Sequence, residues 1–302
     1  MDIYLPIAGQ SVSAPFIVVL GFLVGVLSGM FGVGGGFLTT PILIFYGIPP
    51  TVAVASAATQ ITGASVSGVM VHMRRGGVDA KMAGVMTVGG FFGSLVGAAL
   101  FRMLQASGQI DVVIGSSYVL LLGSIGGLML KDALVALGYV SAEPSTEASR
   151  SNRWVHSLPM RWRFEVSGLF ISPIAPLVLG FGVGVLTVFL GIGGGFIVVP
   201  VMIYILGMPP RVVIGTSLLM VLAVSAGTTM IHALTTHAVD IVLAALLLVG
   251  GVLGAQYGAL LTLRIKPDLL RLALSVIILL VALRMALGLA WRPDEIFSID
   301  LL

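Results

Sequence analysis

The chain carries six long stretches in which most residues are apolar, separated by short polar loops. A stretch of about 18 or more apolar residues is long enough to cross a lipid bilayer as an α-helix. The pattern therefore predicts a helical membrane protein that crosses the bilayer several times. The predicted spans cover residues 51–71, 82–103, 111–130, 212–233, 240–263 and 269–290.

Two further apolar stretches are interrupted by glycines. The first, 15–31, ends at the cluster Gly-Val-Gly-Gly-Gly at 32–36, and a short apolar segment, 37–46, follows before Gly-Ile-Pro-Pro. Glycine costs a helix roughly 1 kcal/mol per residue relative to alanine, and the bilayer core offers no water to unpaired backbone groups. The short segment covers about 15 Å, half of the hydrocarbon core. We therefore expect the helix to break at the glycines.

The same order of features returns in the second half of the chain. The apolar stretch 176–190 ends at Gly-Ile-Gly-Gly-Gly, 191–195, and a short segment, 196–206, precedes Gly-Met-Pro-Pro. Many single positions also match in order, which indicates an internal repeat. The matched pairs include Gly36 and Gly195, Pro41 and Pro200, Ser56 and Thr216, Ser65 and Ser225, His72 and His232, Asp79 and Asp240, Gly89 and Gly250, Gly93 and Gly254, and Gly97 and Gly258.

The repeat divides the chain into regions. We expect two membrane repeats, 15–138 and 174–290, joined by a cytoplasmic linker, 139–173, and followed by a polar tail, 291–302. Arginines alternate with tryptophans in the linker, which resembles a membrane-surface segment: either a plain solvated linker with interfacial tryptophans or, as the alternative, a specific binding element. Residues 1–14 contain no Lys or Arg, so we expect no signal peptide and a first apolar stretch that is retained.

Basic residues in the loops predict the orientation, because cytoplasmic loops carry an excess of Lys and Arg. If each glycine-broken unit crossed the membrane once, the late loop with Arg264 and Lys266 would face outside. If the unit is a hairpin that returns to its own side, this loop, Arg74 and Arg211 all face the cytoplasm. We therefore expect an all-α polytopic fold of two inverted repeats, each with a glycine-broken hairpin and about three spanning helices, as in many secondary transporters. Both termini then lie outside.

The composition narrows the class further. Of the 302 residues, 58% are hydrophobic and 9% are charged, whereas soluble domains carry about 25% charged residues. The basic residues lie at the ends of apolar stretches, so the net charge of +3 indicates membrane topology and not nucleic-acid binding. The chain has no cysteine, which excludes disulfides and thiolate metal sites. It has no clustered carboxylates or histidines either, so we expect no enzyme, no cofactor and no metal site.

The glycine breaks are the strongest candidates for a binding site. They lack the Lys-Ser/Thr of a phosphate-binding loop, but a helix that starts inside the membrane exposes free N–H groups with a partial positive charge. Two such starts from inverted halves would meet near the midplane and form an anion site. The alternative is that the glycines only permit close helix packing. The candidate ligands are Gly34, Gly35, Gly36, Thr39, Ser56, Gln60, Gly193, Gly194, Gly195, Thr216 and Ser217.

Several other residues have two open interpretations. His72 and His232 end equivalent spans, and Asp79 and Asp240 begin the next ones. These residues could couple transport to protons, or the aspartates could cap the helices that start there. Arg284, inside the last span, either attracts an anion or extends its head to the membrane surface. Glycines on one helix face in each half predict helix packing, namely Gly89, Gly90, Gly93, Gly97, Gly250, Gly251, Gly254 and Gly258.

The sequence resembles the sulfite exporter TauE/SafE-like transporters in four motifs. These are Gly-x-Gly-Gly-Gly-Phe-x-x-x-Pro, the following Gly-x-Pro-Pro, the pair Thr216-Ser217, and the sequence from His72 to Gly-Gly-Val-Asp79. The resemblance covers both halves. It implies a multi-pass permease of the inner (plasma) membrane for sulfite, sulfonates or related organic anions. One departure is Ala57, which stands where the second half has Ser217.

These features together predict a secondary transporter that binds a small anion at the paired helix breaks and works by alternating access. The alternative is an anion channel in which the same breaks form a static filter. The expected partners are the anion and the lipid bilayer, and no nucleic acid. The oligomeric state, the coupling ion and the direction of transport stay open.

Overall fold

The computed structural model describes residues 2–31, 35–74, 76–139, 159–261 and 267–290. These residues form ten α-helices and two short β-hairpins. The first half contains β1 (Asp2–Leu5), β2 (Gln10–Ser13), α1 (Ala14–Phe31), α2 (Gly36–Phe45), α3 (Pro50–Arg74), α4 (Ala80–Ala106) and α5 (Ile110–Ala136). The second half contains β3 (Trp162–Phe164), β4 (Leu169–Ile171), α6 (Ile174–Leu190), α7 (Gly195–Tyr204), α8 (Pro210–Thr235), α9 (Ile241–Leu261) and α10 (Pro267–Ala290).

Six of the described helices, α3, α4, α5, α8, α9 and α10, are long and apolar enough to cross a membrane. In each half, the β-hairpin is followed by a pair of shorter apolar helices on either side of the glycine cluster, α1 with α2 and α6 with α7. The prediction of an all-α polytopic membrane protein is confirmed, and so is the short helix after each cluster. The late basic loop with Arg264 and Lys266, most of the predicted linker (140–158) and the tail (291–302) lie outside the described residues.

The first broken unit folds back on itself as a hairpin. Phe16, near the start of α1, stacks on Tyr46, which directly follows α2, with ring centroids 4.7 Å apart. The backbone N–H of Ser13 also donates to the Tyr46 hydroxyl at 3.4 Å. The end of α2 thus lies beside the start of α1, as the argument from loop charges predicted.

Helices from opposite halves pack together through glycines. Cβ atoms on Gly89 and Gly93 of α4 would lie closer than 3.0 Å to carbonyl oxygens of α6. Cβ atoms on the equivalent Gly250 and Gly254 of α9 would lie equally close to carbonyl oxygens of α1. Small residues allow this close approach of two backbones inside a membrane. The prediction that these glycines form packing surfaces is confirmed, and the pairing is reciprocal: α1 packs on α9, and α6 packs on α4.

Equivalent helices of the two halves run antiparallel where they meet. On α3 and α8, Thr59 lies beside Thr229, with their hydroxyl oxygens 3.4 Å apart, whereas Gly68 faces Leu218. Rising numbers on α3 therefore meet falling numbers on α8. The α5–α10 pair has the same arrangement, because Gly115 lies against Leu289 and Gly126 against residues 278–279.

The two β-hairpins tie the halves together at their ends. In the turn after β1, the backbone N–H of Ile7 donates to Asp240 Oδ2 at 3.0 Å. In the turn after β3, the backbone N–H of Ser167 donates to Asp79 Oδ2 at 3.1 Å. The Ser167 hydroxyl donates to the same oxygen, and Phe164 on β3 is fully buried. Within the predicted linker, residues 162–171 therefore form a hairpin that contacts the start of α4.

Candidate functional site

The two glycine breaks lie against each other in the interior of the helix bundle. A Cβ on Gly36, the first residue of α2, would lie closer than 3.0 Å to the carbonyl oxygen of Gly191, which follows α6. The ring of Phe37 stacks on that of Phe196, the equivalent residue of α7, with centroids 4.6 Å apart and an interplanar angle of 8°. Ile61 of α3 would touch Cβ atoms placed on both Gly36 and Gly193. Two segments that are distant in the sequence thus form one site.

Both short helices start without a side-chain cap. The N-cap residues Gly35 and Gly194 have φ angles of 75°, in the left-handed region that glycine adopts at no steric cost. Because glycine has no side chain, neither N-cap residue can donate or accept a side-chain hydrogen bond that caps its helix. The first N–H groups of an α-helix have no acceptor within the helix, and they carry a partial positive charge. The site therefore receives two uncapped helix N-termini, a suitable arrangement for an anion.

The C-terminal end of α6, which reaches the same site, has its carbonyl groups occupied. The N–H of Gly191 donates to the carbonyl of Thr187 at 2.8 Å. His232 Nε2 lies 3.1 Å from the carbonyl oxygen of Val188, so this nitrogen carries the proton. The buried Tyr118 hydroxyl donates to the carbonyl of Leu190. These three donors compensate the partial negative charge that a helix C-terminus carries.

Buried hydroxyl groups without hydrogen-bond partners lie along α3 and α8. Ser65, Ser225 and Thr228 are at most 1% exposed, and their oxygens have no partner in the structure. The Ser225 oxygen lies 3.0 Å from the position that a Cβ on Gly193 would take, so it faces the second break. Buried polar groups are nearly always hydrogen-bonded in folded proteins. These three hydroxyls, one of them directed at a helix break, are therefore candidates for contact with a ligand.

Thr39 and Gln60 meet beside the first break. The Thr39 hydroxyl donates to Gln60 Oε1 at 2.9 Å and lies 3.4 Å from the carbonyl of its own N-cap residue, Gly35. Both side chains are buried, and Gln60 Nε2 lies 2.9 Å from the position of a Cβ on Gly251 of α9. The Gln60 amide therefore links α2, α3 and α9 at the break.

Ser56 and Thr216, in contrast, bind the loops at the membrane ends. The backbone N–H of Asp79 donates to Thr216 Oγ1 at 2.9 Å, and that of Asp240 donates to Ser56 Oγ at 3.3 Å. The two bonds are equivalent in the repeat. Ser217, next to Thr216, donates to the carbonyl of Ile214 in its own helix at 2.9 Å. The structure thus gives each of these three hydroxyls a partner within the protein.

Asp79 and Asp240 cap the helices that follow them, as one of the two interpretations predicted. Asp79 Oδ1 accepts from the N–H of Met82 at 3.0 Å. Asp240 Oδ1 accepts from the N–H groups of Val242 and Leu243, both at 3.1 Å. Their other carboxylate oxygens hold the hairpin turns described above. Both carboxylates are therefore fully engaged at the ends of the bundle.

The remaining candidates divide between the breaks and the surface. His232 is buried and stands edge-on to Phe101, with centroids 5.0 Å apart, whereas the equivalent His72 is partly exposed. Gly34 lies outside the described residues. The Arg284 guanidinium lies 5.2 Å from the ring centroid of Phe45, at the far end of α2 from the break. Arg284 therefore does not reach the site.

The site is closed in this structure. Gly35, Gly36 and residues 191–196 are buried, as are the side chains of Thr39 and Gln60. A surface hollow of about 590 Å³ lies elsewhere, between β1 and the start of α1, and is lined by Asp2, Ile3, Ala14, Pro15, Val18 and Val19. In the described part of the chain, no group of three His, Asp or Glu side chains could hold a metal ion. The described residues of the two breaks are therefore shielded from solvent.

Comparisons with known proteins give one consistent family. The family model described as "Sulfite exporter TauE/SafE" matches residues 17–285. A "Probable membrane transporter protein" of Xylella fastidiosa is 28% identical over 90% of this chain and 93% of its own length. The "Probable membrane transporter protein YjnA" of Bacillus subtilis is 27% identical over 89% of this chain and 98% of its own length. A short region, 26% of this chain, is 39% identical to 18% of "Sulfite exporter TauE/SafE family protein 6" of Arabidopsis thaliana. No solved structure matches the chain.

Proposed function

Because the chain belongs to the sulfite exporter TauE/SafE family, and is thus a multi-pass membrane transporter, we propose that it is a secondary carrier for a small sulfur-containing or organic anion such as sulfite or a sulfonate. The anion lies between the two glycine breaks. The N–H groups of residues 34–36 and 193–195 bind it, and Thr39 and Gln60 stand beside it. One observation carries this proposal: two uncapped helix N-termini meet next to buried hydroxyls that have no partner.

The proposed mechanism is alternating access between two inverted repeats, 15–138 and 174–290, in the inner (plasma) membrane. The antiparallel crossing of α3 with α8 and of α5 with α10 supports the inversion, because a two-fold axis in the membrane plane requires it. The hairpin formed by α1 and α2 supports an odd number of crossings in each half, with both termini outside. The closed state of the breaks fits a carrier that opens to one side at a time.

For coupling to protons, we place the titrating group at His232. This residue reaches the end of α6 beside the second break, whereas Asp79 and Asp240 are engaged in capping and in the hairpin turns. The equivalent His72 would serve the first half. In proteoliposomes, we expect His232→Gln to transport without dependence on an imposed pH gradient. Unchanged dependence on that gradient would assign coupling to another group.

A counterflow experiment in proteoliposomes tests the function. Vesicles loaded with unlabelled sulfite should accumulate labelled sulfite transiently above its external concentration. A carrier exchanges one anion for another, whereas a channel with a static filter only equilibrates them. Equilibration without overshoot would favour the channel. A thermal-shift screen with sulfite, thiosulfate, sulfonates and carboxylates should show binding, since a ligand of the folded state stabilises it by mass action.

A matched pair of variants connects transport to the breaks. Gln60→Leu removes the buried amide beside the first break, and we expect loss of counterflow with normal expression. Gln105→Leu, at the exposed end of α4, removes an amide of the same type far from the breaks and should transport normally. If Gln60→Leu transports as well as Gln105→Leu, the anion does not bind between the breaks.

A further inference from the structure

The positive charge available to a ligand at the breaks is small and can be counted. A helix N-terminus carries about half of one elementary charge, so the uncapped starts of α2 and α7 together supply about one positive charge. Among the side chains that the structure describes, every lysine and arginine is exposed. No basic side chain of that set therefore adds to the two helix starts.

At the second break, hydrogen-bond donors reach the C-terminal end of α6. Tyr118, His232 and the N–H of Gly191 occupy the last carbonyls of α6. The buried carboxylates Asp79 and Asp240 accept hydrogen bonds at the ends of the bundle, from helix starts and hairpin turns. The α6 carbonyls that receive these donors are thus not free to oppose the partial positive charge at the start of α7.

The polar side chains that are free to bind a ligand are neutral hydroxyls. Ser225, Thr228 and His232 follow each other at positions i, i+3 and i+7 of α8, so they share one helix face. Ser225 faces Gly193 at one end of this row, and His232 reaches Val188 at the other. Thr228, between them, therefore faces the second break as well. Ser65 is the equivalent of Ser225 in the first half and is equally buried and unpartnered.

We propose, on the basis of the function proposed above, that the site selects a singly charged oxyanion against a doubly charged one, and that the hydroxyls of Ser65, Ser225 and Thr228 bind its oxygens. The Born cost of removing an ion from water rises with the square of its charge, so a dianion costs about four times as much to bury as a monoanion. Its attraction to a fixed field only doubles. Two half-charges neutralise a monoanion and leave a dianion with uncompensated charge in a closed, apolar interior.

Methanesulfonate and sulfate form a matched pair of probes. Both have tetrahedral sulfur, and a methyl group replaces one charged oxygen in methanesulfonate. In titration calorimetry on the purified protein at constant pH and ionic strength, we expect methanesulfonate to bind at least about tenfold more tightly than sulfate. Equal or tighter binding of sulfate overturns the charge selection and leaves the proposed anion carrier intact. If neither probe nor any other anion of the screen binds, the proposed function itself is wrong.

Two variants test the hydroxyls. Ser225→Ala and Thr228→Val should each weaken methanesulfonate binding by about tenfold, the scale of a hydrogen bond to a charged group. The melting temperature of the ligand-free protein should stay the same or rise, because the removed hydroxyls had no partner. Ser275→Ala is the control, since this buried serine donates to Leu272 within α10; it should bind methanesulfonate normally. Wild-type affinity in both Ser225→Ala and Thr228→Val would contradict the assignment.

Discussion

A single added methyl group at Gly21 should test the packing of the two halves. Gly21 lies in α1, and a Cβ placed there would stand 2.6 Å from the carbonyl oxygen of Leu247 in α9. The Leu247 Cα and carbonyl carbon would lie 3.1 and 3.2 Å away. All three atoms are backbone, so no side-chain rotation relieves the clash. To restore an ordinary contact of 3.4 Å, the two helices must separate by about 0.8 Å, the difference from 2.6 Å.

The expected magnitude follows from that separation. A radial gap of 0.5–1 Å removes roughly a quarter to a half of the dispersion energy of each contact, and overpacking of this kind typically costs about 1–3 kcal/mol. Alanine regains up to about 1 kcal/mol of helix propensity relative to glycine. For Gly21→Ala we therefore expect a net loss of up to about 2 kcal/mol.

Gly182→Ala is the matched control for this variant. Gly182 lies in α6, the equivalent of α1, and nothing stands within 4 Å of its Cβ position. This variant gains propensity without a clash and should be more stable than wild type by about 0.5–1 kcal/mol. Thermal unfolding of both variants in the same detergent gives the comparison. If Gly21→Ala melts at or above Gly182→Ala, the close contact between α1 and α9 does not limit stability.

Three further outcomes are expected. The variants Arg74→Cys and Leu234→Cys each carry one cysteine, at equivalent positions of the two repeats. A membrane-impermeant thiol reagent should label them from opposite sides of the membrane. Labelling of both from the same side would contradict the inverted arrangement. Tyr118→Phe should lower the free energy of unfolding by about 1–3 kcal/mol, because the buried carbonyl of Leu190 loses its donor, and an unchanged melting temperature would show that another group replaces the hydroxyl. Asp79→Ala should lower the free energy of unfolding by about 0.5–2 kcal/mol through the lost helix cap alone, and by more because the hairpin turn loses its acceptor. A smaller loss in denaturant titrations would mean that neither the helix start nor the hairpin depends on the carboxylate.

Features that follow from local patterns could be predicted from the sequence. The glycine cluster before Phe37 and its copy before Phe196 predicted two broken helices, because glycine is unfavourable in a helix interior. Asp79 and Asp240 stand directly before apolar runs, and an aspartate at that position caps the following helix. The repeat also indicated which residues are equivalent, and the structure uses equivalent residues in equivalent contacts.

Features that depend on contacts between the halves could not be predicted. Ser56 and Thr216 carry hydroxyl groups that could bind an anion, but in the structure these hydroxyls accept from the backbone N–H groups of Asp240 and Asp79 in the other half. The two β-hairpins have strands of three or four residues, too short for a clear alternation of polar and apolar residues. The sequence did not indicate that the Thr228 hydroxyl has no hydrogen-bond partner. Its spacing of three residues from Ser225 nevertheless places both residues on one helix face.

The reciprocal glycine packing has a consequence for motion. Each tight pair, α1 with α9 and α4 with α6, joins one helix from each half of the chain, and contact between two backbones resists sliding. We therefore expect each pair to move as one rigid body. In the proposed alternating-access cycle, each moving unit would contain helices from both repeats, so the moving units would not coincide with the two halves of the sequence.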